Sequence, residues 1–364
     1  MDKIGIICEY NPFHNGHDYH IKKIKEMFPD SSITLVMSGN FTQRGLLSIL
    51  EKNQKADIAI KHNIDLVVEL PFIFATQSAD IFANAAISIL KRMKVDYLVF
   101  GSECNNVEEL ITLAQVQLNN EDYNKEIKKH LDSGTNYPTA MSKAIQVLTG
   151  KTINTPNDLL GLSYIKAIIN QKANIKPITI KRTNDFHSTL LDTEISSASA
   201  IREAISQNKD ISNYVPIEVV KILKEKKNLD YFKLLKYKII TEGTSINKYL
   251  TVDEGIENRI LKVIDKCNSM EELINAVKTK RYTYNKLSRM FIHILCSLTK
   301  EEVQKNKEIK YIRVLRFNEV GRKHLNKIKK ELDVPLITTP KYYNDLLEIE
   351  NKVDKIYNLI ISLF

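Results

Sequence analysis

The chemistry legible first in this sequence is phosphate chemistry, carried by Cys8-Glu9-Tyr10-Asn11-Pro12-Phe13-His14-Asn15-Gly16-His17. A β-branched run ends near Cys8, and a helical pattern begins near Gly16. A helix N-terminus offers free backbone N–H groups and a positive dipole end, both suited to phosphate. Gly16 removes a side chain where backbone and phosphate must approach closely. His14 and His17 add donors able to stabilise charge developing on a reacting phosphoryl group. The string is neither the Gly-x-Gly-x-x-Gly fingerprint nor a Gly-Lys-Ser/Thr phosphate loop. His-x-x-His also suits a metal, but no third ligand stands at a typical spacing, so no metal site is assigned.

Such a loop needs a sheet to hold it. Short apolar runs stand at Lys3–Cys8, Ser32–Met37, Asp65–Glu69 and Val95–Phe100. Their near-continuous apolar character is that of strands covered on both faces. Helical patterns at about 16–28, 50–62 and 78–93 separate them, which means βαβ units and a parallel sheet. A helix starting near Asn157 leads to a further strand, Lys176–Lys181, and Ser196 and Ser197 cap a helix entering Ala200-Ile201-Arg202. Beyond residue 205 strand signals thin out, leaving amphipathic patterns at 217–228, 230–240, 256–265, 270–279, 284–298 and 319–332. The expectation is an α/β fold in two parts: a Rossmann-like domain over 1–205, and a basic, mainly helical domain over 206–364.

Composition agrees with an ordinary globular chain, 43% hydrophobic and 27% charged in 364 residues. No run approaches the 18 apolar residues of a membrane span, and the N-terminus lacks a signal-peptide pattern. Cys8, Cys104, Cys267 and Cys296 are dispersed, which argues against a zinc ribbon or a disulfide scaffold. A cytoplasmic location is expected. The net charge of +9 is unevenly spread: residues 1–200 hold 21 Lys and Arg against 22 Asp and Glu, and the remainder holds 32 against 22. That asymmetry points the C-terminal part toward a polyanion.

The long N-terminal string resembles the HIGH-motif nucleotidyltransferase superfamily, and within it the bacterial tRNA(Met) cytidine acetate ligase family. Met37-Ser38-Gly39-Asn40-Phe41-Thr42-Gln43-Arg44-Gly45, Asp65-Leu66-Val67-Val68-Glu69-Leu70-Pro71 and Phe100-Gly101-Ser102-Glu103 carry the same resemblance. So do Asn157-Asp158-Leu159-Leu160-Gly161, Ile180-Lys181-Arg182, Ile195-Ser196-Ser197-Ala198-Ser199-Ala200-Ile201-Arg202 and Tyr311-Ile312-Arg313-Val314-Leu315. The resemblance implies activation of acetate by ATP as acetyl-adenylate. The acetyl group then passes to the exocyclic amine of the wobble cytidine of elongator tRNA(Met). It places ATP on the loop from Ile7 to His20 and on Gly101, Asn157 and Arg182, with His14 and His17 catalytic. Leu46-Leu47, Lys55 and Arg316 depart from the family pattern, which has an acidic residue and proline, arginine and glycine there.

The residues themselves suit that chemistry. Acetate is already ionised at neutral pH, like a side-chain carboxylate, so no general base is required. What is required is alignment on the α-phosphate and stabilisation of departing pyrophosphate, for which His14, His17, Arg182 and the helix after Ser196 and Ser197 are suitable. Mg2+ is expected to accompany the triphosphate without an all-protein cage.

For RNA, two basic clusters stand out. One holds Lys221, Lys224, Lys226, Lys227, Lys233, Lys236 and Lys238; the other holds Lys310, Arg313, Arg316, Arg322, Lys323, Lys327, Lys329 and Lys330. Tyr231, Phe232, Tyr237, Tyr311 and Phe317 are interleaved, and aromatics can receive unstacked bases. The second cluster, from Arg313 onward, is the expected tRNA contact. Two rivals remain: a cytidylyl- or adenylyltransferase acting on a small phosphate ester, and an RNA-binding protein with a degenerate nucleotide pocket. Intact His14, Gly16 and His17 count against degeneracy. Sequence leaves open which tRNA is bound, how strictly acetate is required, and the oligomeric state.

Overall fold

The computed structural model describes residues 1–119, 121–182, 196–224, 230–339 and 344–363. It opens with β1 (Lys3–Cys8), α1 (Asn15–Met27), β2 (Ser32–Ser38), α2 (Lys52–Lys61), β3 (Leu66–Leu70), α3 (Phe72–Ala75), α4 (Ala79–Arg92) and β4 (Tyr97–Ser102). Three helices then pack as a group, α5 (Val107–Asn119), α6 (Glu121–Asp132) and α7 (Tyr137–Thr149). They precede α8 (Pro156–Asn170), β5 (Lys176–Lys181), α9 (Ala198–Ser206) and α10 (Ile217–Lys224). The helical run that follows is α11 (Phe232–Glu242), α12 (Ile256–Val263), α13 (Met270–Val277), α14 (Tyr284–Leu295) and α15 (Lys300–Lys305). The chain closes with β6 (Ile312–Phe317), α16 (Glu319–Ile328), β7 (Leu336–Ile337) and α17 (Asp345–Ser362).

The five strands read from the sequence form one parallel sheet in the order β5-β4-β1-β2-β3. Every residue of β2 and β3 is buried, because helices cover both faces. The strand order reverses at β1, which has β2 on one side and β4 on the other, so the loop after Cys8 opens at a topological switch point.

The expected confinement of the sheet to residues 1–205 is corrected by the topology. β6 lies antiparallel on β3, pairing Leu66 with Phe317 and Val68 with Val314, and β7 pairs with β6. Val314 and Leu315 are buried, as β3 would otherwise be an open hydrophobic edge. Because β6 is antiparallel, its last residue sits at the N-terminal edge of the sheet, and α16 starts there. Asn318 N–H donates to Asp65 O at 3.0 Å, and a Cβ on Gly321 would meet Asp65 O at 2.0 Å. His324 Nε2 reaches Met93 O at 2.8 Å, below the start of β4.

A buried ion cluster ties α17 to the sheet. Lys52 Nζ lies 2.7 Å from Glu69 Oε1 and 2.5 Å from Asp354 Oδ2. Arg313 Nη1 lies 3.1 Å from Glu69 Oε2 and 3.3 Å from Asp354 Oδ2. Glu350 accepts the Phe72 N–H at 2.7 Å; burial, then the neighbouring Glu69, pushes its carboxyl well above the usual range. Three acids with two bases are thereby held close to neutrality.

Candidate active site

The loop after β1 turns into α1 through a reciprocal cap made by the two histidines. His14 Nδ1 accepts the Gly16 N–H at 3.1 Å, and His17 Nδ1 accepts the His14 N–H at 3.2 Å. Their rings stack at 3.8 Å between centroids. Burial, then Arg182 and Arg202, lowers the His14 imidazole to about 3, and burial, then His14, holds His17 well below its usual value. Both rings are therefore neutral at pH 7. An Nδ1 that accepts cannot carry hydrogen, so each ring keeps its proton on Nε2 as a donor. Tyr10, at φ 49°, packs its ring against Phe13 and His17 at 4.8 and 4.6 Å. Asn15 anchors the start of α1 by donating to Tyr214 O at 3.0 Å and, from its side chain, to Asn213 O at 2.9 Å.

The residues expected around ATP divide into those that face this loop and those that hold it. Ile7 and Cys8 belong to β1, where burial pushes the Cys8 thiol up to about 11. Glu9 turns its carboxylate toward the segment after β2, accepting from Gln43 N–H at 2.6 Å and Ser38 Oγ at 3.2 Å. Asn11 Oδ1 accepts from Ile49 N–H at 2.8 Å. Pro12 and Phe13 are buried in the turn. At the end of β4, a Cβ on Gly101 would lie 3.2 Å from Arg182 Cγ, so a larger residue there would crowd that arginine. Asn157 donates to Glu103 Oε1 at 2.5 Å, and Arg182 Nε lies 3.7 Å from the same oxygen. Ser197 caps α9 by accepting from Ala200 N–H at 3.1 Å.

Four buried polar atoms of this region have no hydrogen-bond partner among the described residues: Asn11 Nδ2, His20 Nε2, Arg182 Nε and Ser196 Oγ. Buried polar atoms are ordinarily satisfied. They stand on the loop after β1, on α1, at the end of β5 and at the start of α9, a concentration that suits a polar ligand.

Three contributors were not assigned a role from sequence. Arg202 donates to Asn11 O at 2.7 Å, fixing the turn from 191 residues away. Lys55 Nζ donates to Glu9 O, Ser38 O and Gly39 O at 2.9, 2.9 and 2.7 Å, clamping the ends of β1 and β2. Asp158 gathers Ser102 Oγ, Glu103 N–H, Cys104 N–H and Thr155 Oγ1, which shapes the turn after β4. Arg202 and Asp158 stand inside the quoted motifs; Lys55 left only its departure from the family pattern as a signal.

The residues expected to meet RNA stand in different settings. Arg313 points into the ion cluster with Glu69 and Asp354, because antiparallel pairing brings it beside buried carboxylates. Arg316 pairs with Asp57 at 2.5 Å. Arg322, Lys323, Lys327, Lys329 and Lys330 are exposed, on and just after α16, at the sheet edge opposite the histidine loop. Tyr231, Phe232 and Tyr311 are core, whereas Tyr237 and Phe317 are exposed. In the first cluster, Lys236 donates to Asp265 O and Cys267 O, and Lys238 pairs with Glu242. Lys226 and Lys227, like Ile195 of the serine motif, lie outside the described residues. Glu69, Glu350 and Asp354 could offer ligands to a cation, but the Lys52 ammonium stands among them.

A parallel sheet with paired histidines capping the first helix defines a nucleotidyltransferase of the HIGH class. The family described as HIGH Nucleotidyl Transferase matches residues 1–363. The tRNA(Met) cytidine acetate ligase of Anoxybacillus flavithermus is 38% identical, covering 99% of this chain and 95% of its own. That of Clostridium acetobutylicum is 37% identical, with 99% and 96% covered. The crystal structure of Thermotoga maritima TmcAL bound with alpha-thio ATP superposes with a TM-score of 0.87 at 29% identity, covering 99% of this chain and 95% of that one. The chain belongs to the tRNA(Met) cytidine acetate ligase family. No helix among the described residues is long and apolar enough to cross a membrane.

Proposed function

We propose that this protein is an ATP-dependent ligase that acetylates the N4 amine of the wobble cytidine in elongator tRNA(Met), and that it works in the cytoplasm. An acetate oxygen attacks the α-phosphorus and pyrophosphate leaves; the cytidine amine then attacks the acetyl carbonyl, AMP leaves and the amine loses a proton. The observation that carries this reading is the pair of neutral imidazoles. Each has Nδ1 tied to a backbone N–H, leaving an Nε2–H donor in a region where Asn11 Nδ2, His20 Nε2 and Arg182 Nε have no hydrogen-bond partner among the described residues. Donors fixed before the reaction stabilise the charge that moves onto pyrophosphate without reorganising. In this reading His14 and His17 face the phosphates, Arg182 and Asn157 hold the nucleotide, and the α9 N-terminus behind Ser196 and Ser197 receives anionic oxygen.

Mg2+ bound to the triphosphate would neutralise part of its charge. Glu9 and Glu103 border the loop but accept from Gln43 N–H, Asn157 Nδ2 and Asp158 N–H, so the metal would rest on phosphate oxygens and water. The sheet division then has a functional meaning: nucleotide chemistry at the C-terminal edge, with RNA met mainly by residues after 205.

The test is incubation with ATP, labelled acetate and tRNA, followed by nucleoside analysis. Label in N4-acetylcytidine, with acetate-dependent exchange of pyrophosphate into ATP in the absence of RNA, is the expected outcome. Exchange that depends on a phosphate ester and not on acetate would replace this reading with the small-substrate transferase.

A further inference from the structure

Three helix ends meet beside the histidine turn. His62 closes α2, its backbone N–H reaching Ile58 O and Ala59 O at 3.1 Å. Its ring lies between two carboxylates: Nδ1 stands 2.7 Å from Asp18 Oδ1, and Nε2 stands 3.0 Å from Glu218 Oε1. Asp18 is in the first turn of α1, directly after His17, and Glu218 is in the first turn of α10. Each helix thereby presents the charge its dipole favours, anions at two N-terminal ends and a cation at a C-terminal end.

The two contacts decide the ring's protonation. A carboxylate oxygen only accepts, so both contacts are hydrogen bonds only when both ring nitrogens carry hydrogen, the imidazolium form. In a neutral ring one nitrogen lone pair would face a carboxylate. Burial works against charge on both acids. Even so, Lys22 and then His62 hold Asp18 below its usual range, and the backbone N–H of Glu218 and then His62 do the same for Glu218. The other groups around the ring are Lys22, 2.7 Å from the second Asp18 oxygen, and Lys61, which acts on Glu218. Tyr10, near Asp18, stays protonated because burial raises its phenol well above the usual value.

The ring reaches the nucleotide turn by three routes. One is Asp18 itself, on α1. The second is Phe13, whose ring lies 4.6 Å from that of His62 and 5.5 Å from that of His17. The third is the segment before α10, which supplies Asn213 O and Tyr214 O to Asn15, between His14 and Gly16. α10 also buries Val219 and Leu223 in the apolar cluster of Tyr10, Phe13 and Ile21, which keeps it docked when the charges change. His14 and His20 are lowered to about 3 and about 4, first by burial, so neither changes charge near neutrality.

We infer that the charged His62 ring is a positioning residue for the nucleotide turn: by clamping α1 to α10 it holds His14 to His17 in the geometry that receives ATP. Rising pH removes one ring proton, one contact of the clamp is lost, and the affinity for ATP falls. The inference rests on the ATP site proposed above.

The experiment measures ATP affinity by calorimetry, without acetate or RNA, from about pH 6 to about pH 9, with thermal unfolding alongside. It compares wild type with His62→Gln, His62→Lys and Glu218→Gln. At the acid end His62→Gln should bind ATP about fivefold more weakly than wild type, an effect of the size carried by contacts that act through a neighbour. At the alkaline end the two should converge, because an amide and a neutral imidazole each have a donor for only one of the two acids. The titration of ATP itself cancels in the ratio. His62→Lys keeps a cation in place and should recover part of the loss, with less dependence on pH. Glu218→Gln should weaken ATP binding at the acid end and add little in the His62→Gln background. A His62→Gln ratio that stays constant across the range would overturn the inference, leaving the ring as a support without a charge-dependent role. If His62→Gln unfolds, Glu218→Gln decides, since it leaves the ring in place: wild-type affinity in that variant would equally overturn the inference. Wild-type protein that binds no ATP would refute the ATP site itself, a separate failure.

Discussion

His14 does two jobs that substitution can separate. Its Nδ1 accepts the Gly16 N–H, which is helix capping, and its Nε2–H is free for the phosphates. Loss of a cap costs about 1 kcal/mol of stability. Loss of a preorganised donor to a developing anion costs about 3–4 kcal/mol in the transition state, a factor of 100 or more in rate. His14→Ala removes both. His14→Asn keeps an oxygen able to accept from the helix N–H but cannot extend a donor as far as Nε2. The two variants should therefore differ by about 1 kcal/mol in urea unfolding and hardly at all in activity, each losing a factor of 100 or more in acetate-dependent pyrophosphate exchange. Near-normal exchange by His14→Asn would show that the cap is the only role of this residue. Equal stability of the two variants would show that the cap contributes nothing.

Three further outcomes follow from the geometry. His14 is lowered to about 3 and His293 to about 4, burial being the first cause in each, so both stay neutral in the fold and charge on unfolding. Below about pH 6.5 the unfolded chain binds protons that the folded chain refuses; stability should fall with acidification, by about 2 kcal/mol per histidine at pH 5, and stay flat from this source above pH 7. His293→Gln should shrink the pH 7-to-5 loss by that amount in urea titrations, and an unchanged loss would refute the assignment. Lys52→Met should destabilise by about 3–5 kcal/mol, because Glu69 and Asp354 would keep their buried charge with Arg313 alone; thermal unfolding reads this directly. Charge reversal at Arg322, Lys323, Lys327, Lys329 and Lys330 should leave pyrophosphate exchange and saturated tRNA turnover within about twofold, since surface charges far from a site act through screened fields. A collapse of saturated turnover in a folded variant would return α16 to the reaction.

The sequence by itself determined the first five strands, their parallel order of chemistry and the histidine turn. Each rests on neighbours a few residues apart: β-branched runs fit strands covered on both faces, and His14, Gly16 and His17 cap one another within a single turn. The group α5–α7 left no comparable signal, and β6 was read only as a motif and never as a strand. Tertiary structure alone decided what each charge faces. Arg313 carries the same charge as Lys323, but antiparallel pairing on β3 brings it to Glu69, while the start of α16 at the opposite edge leaves Lys323 in solvent. Arg202 reaches Asn11, and Lys52 reaches Asp354, across 191 and 302 residues. Contacts closed over such separations have no local spacing to betray them; they are chosen by which strand edge needs covering and which buried charge needs a partner.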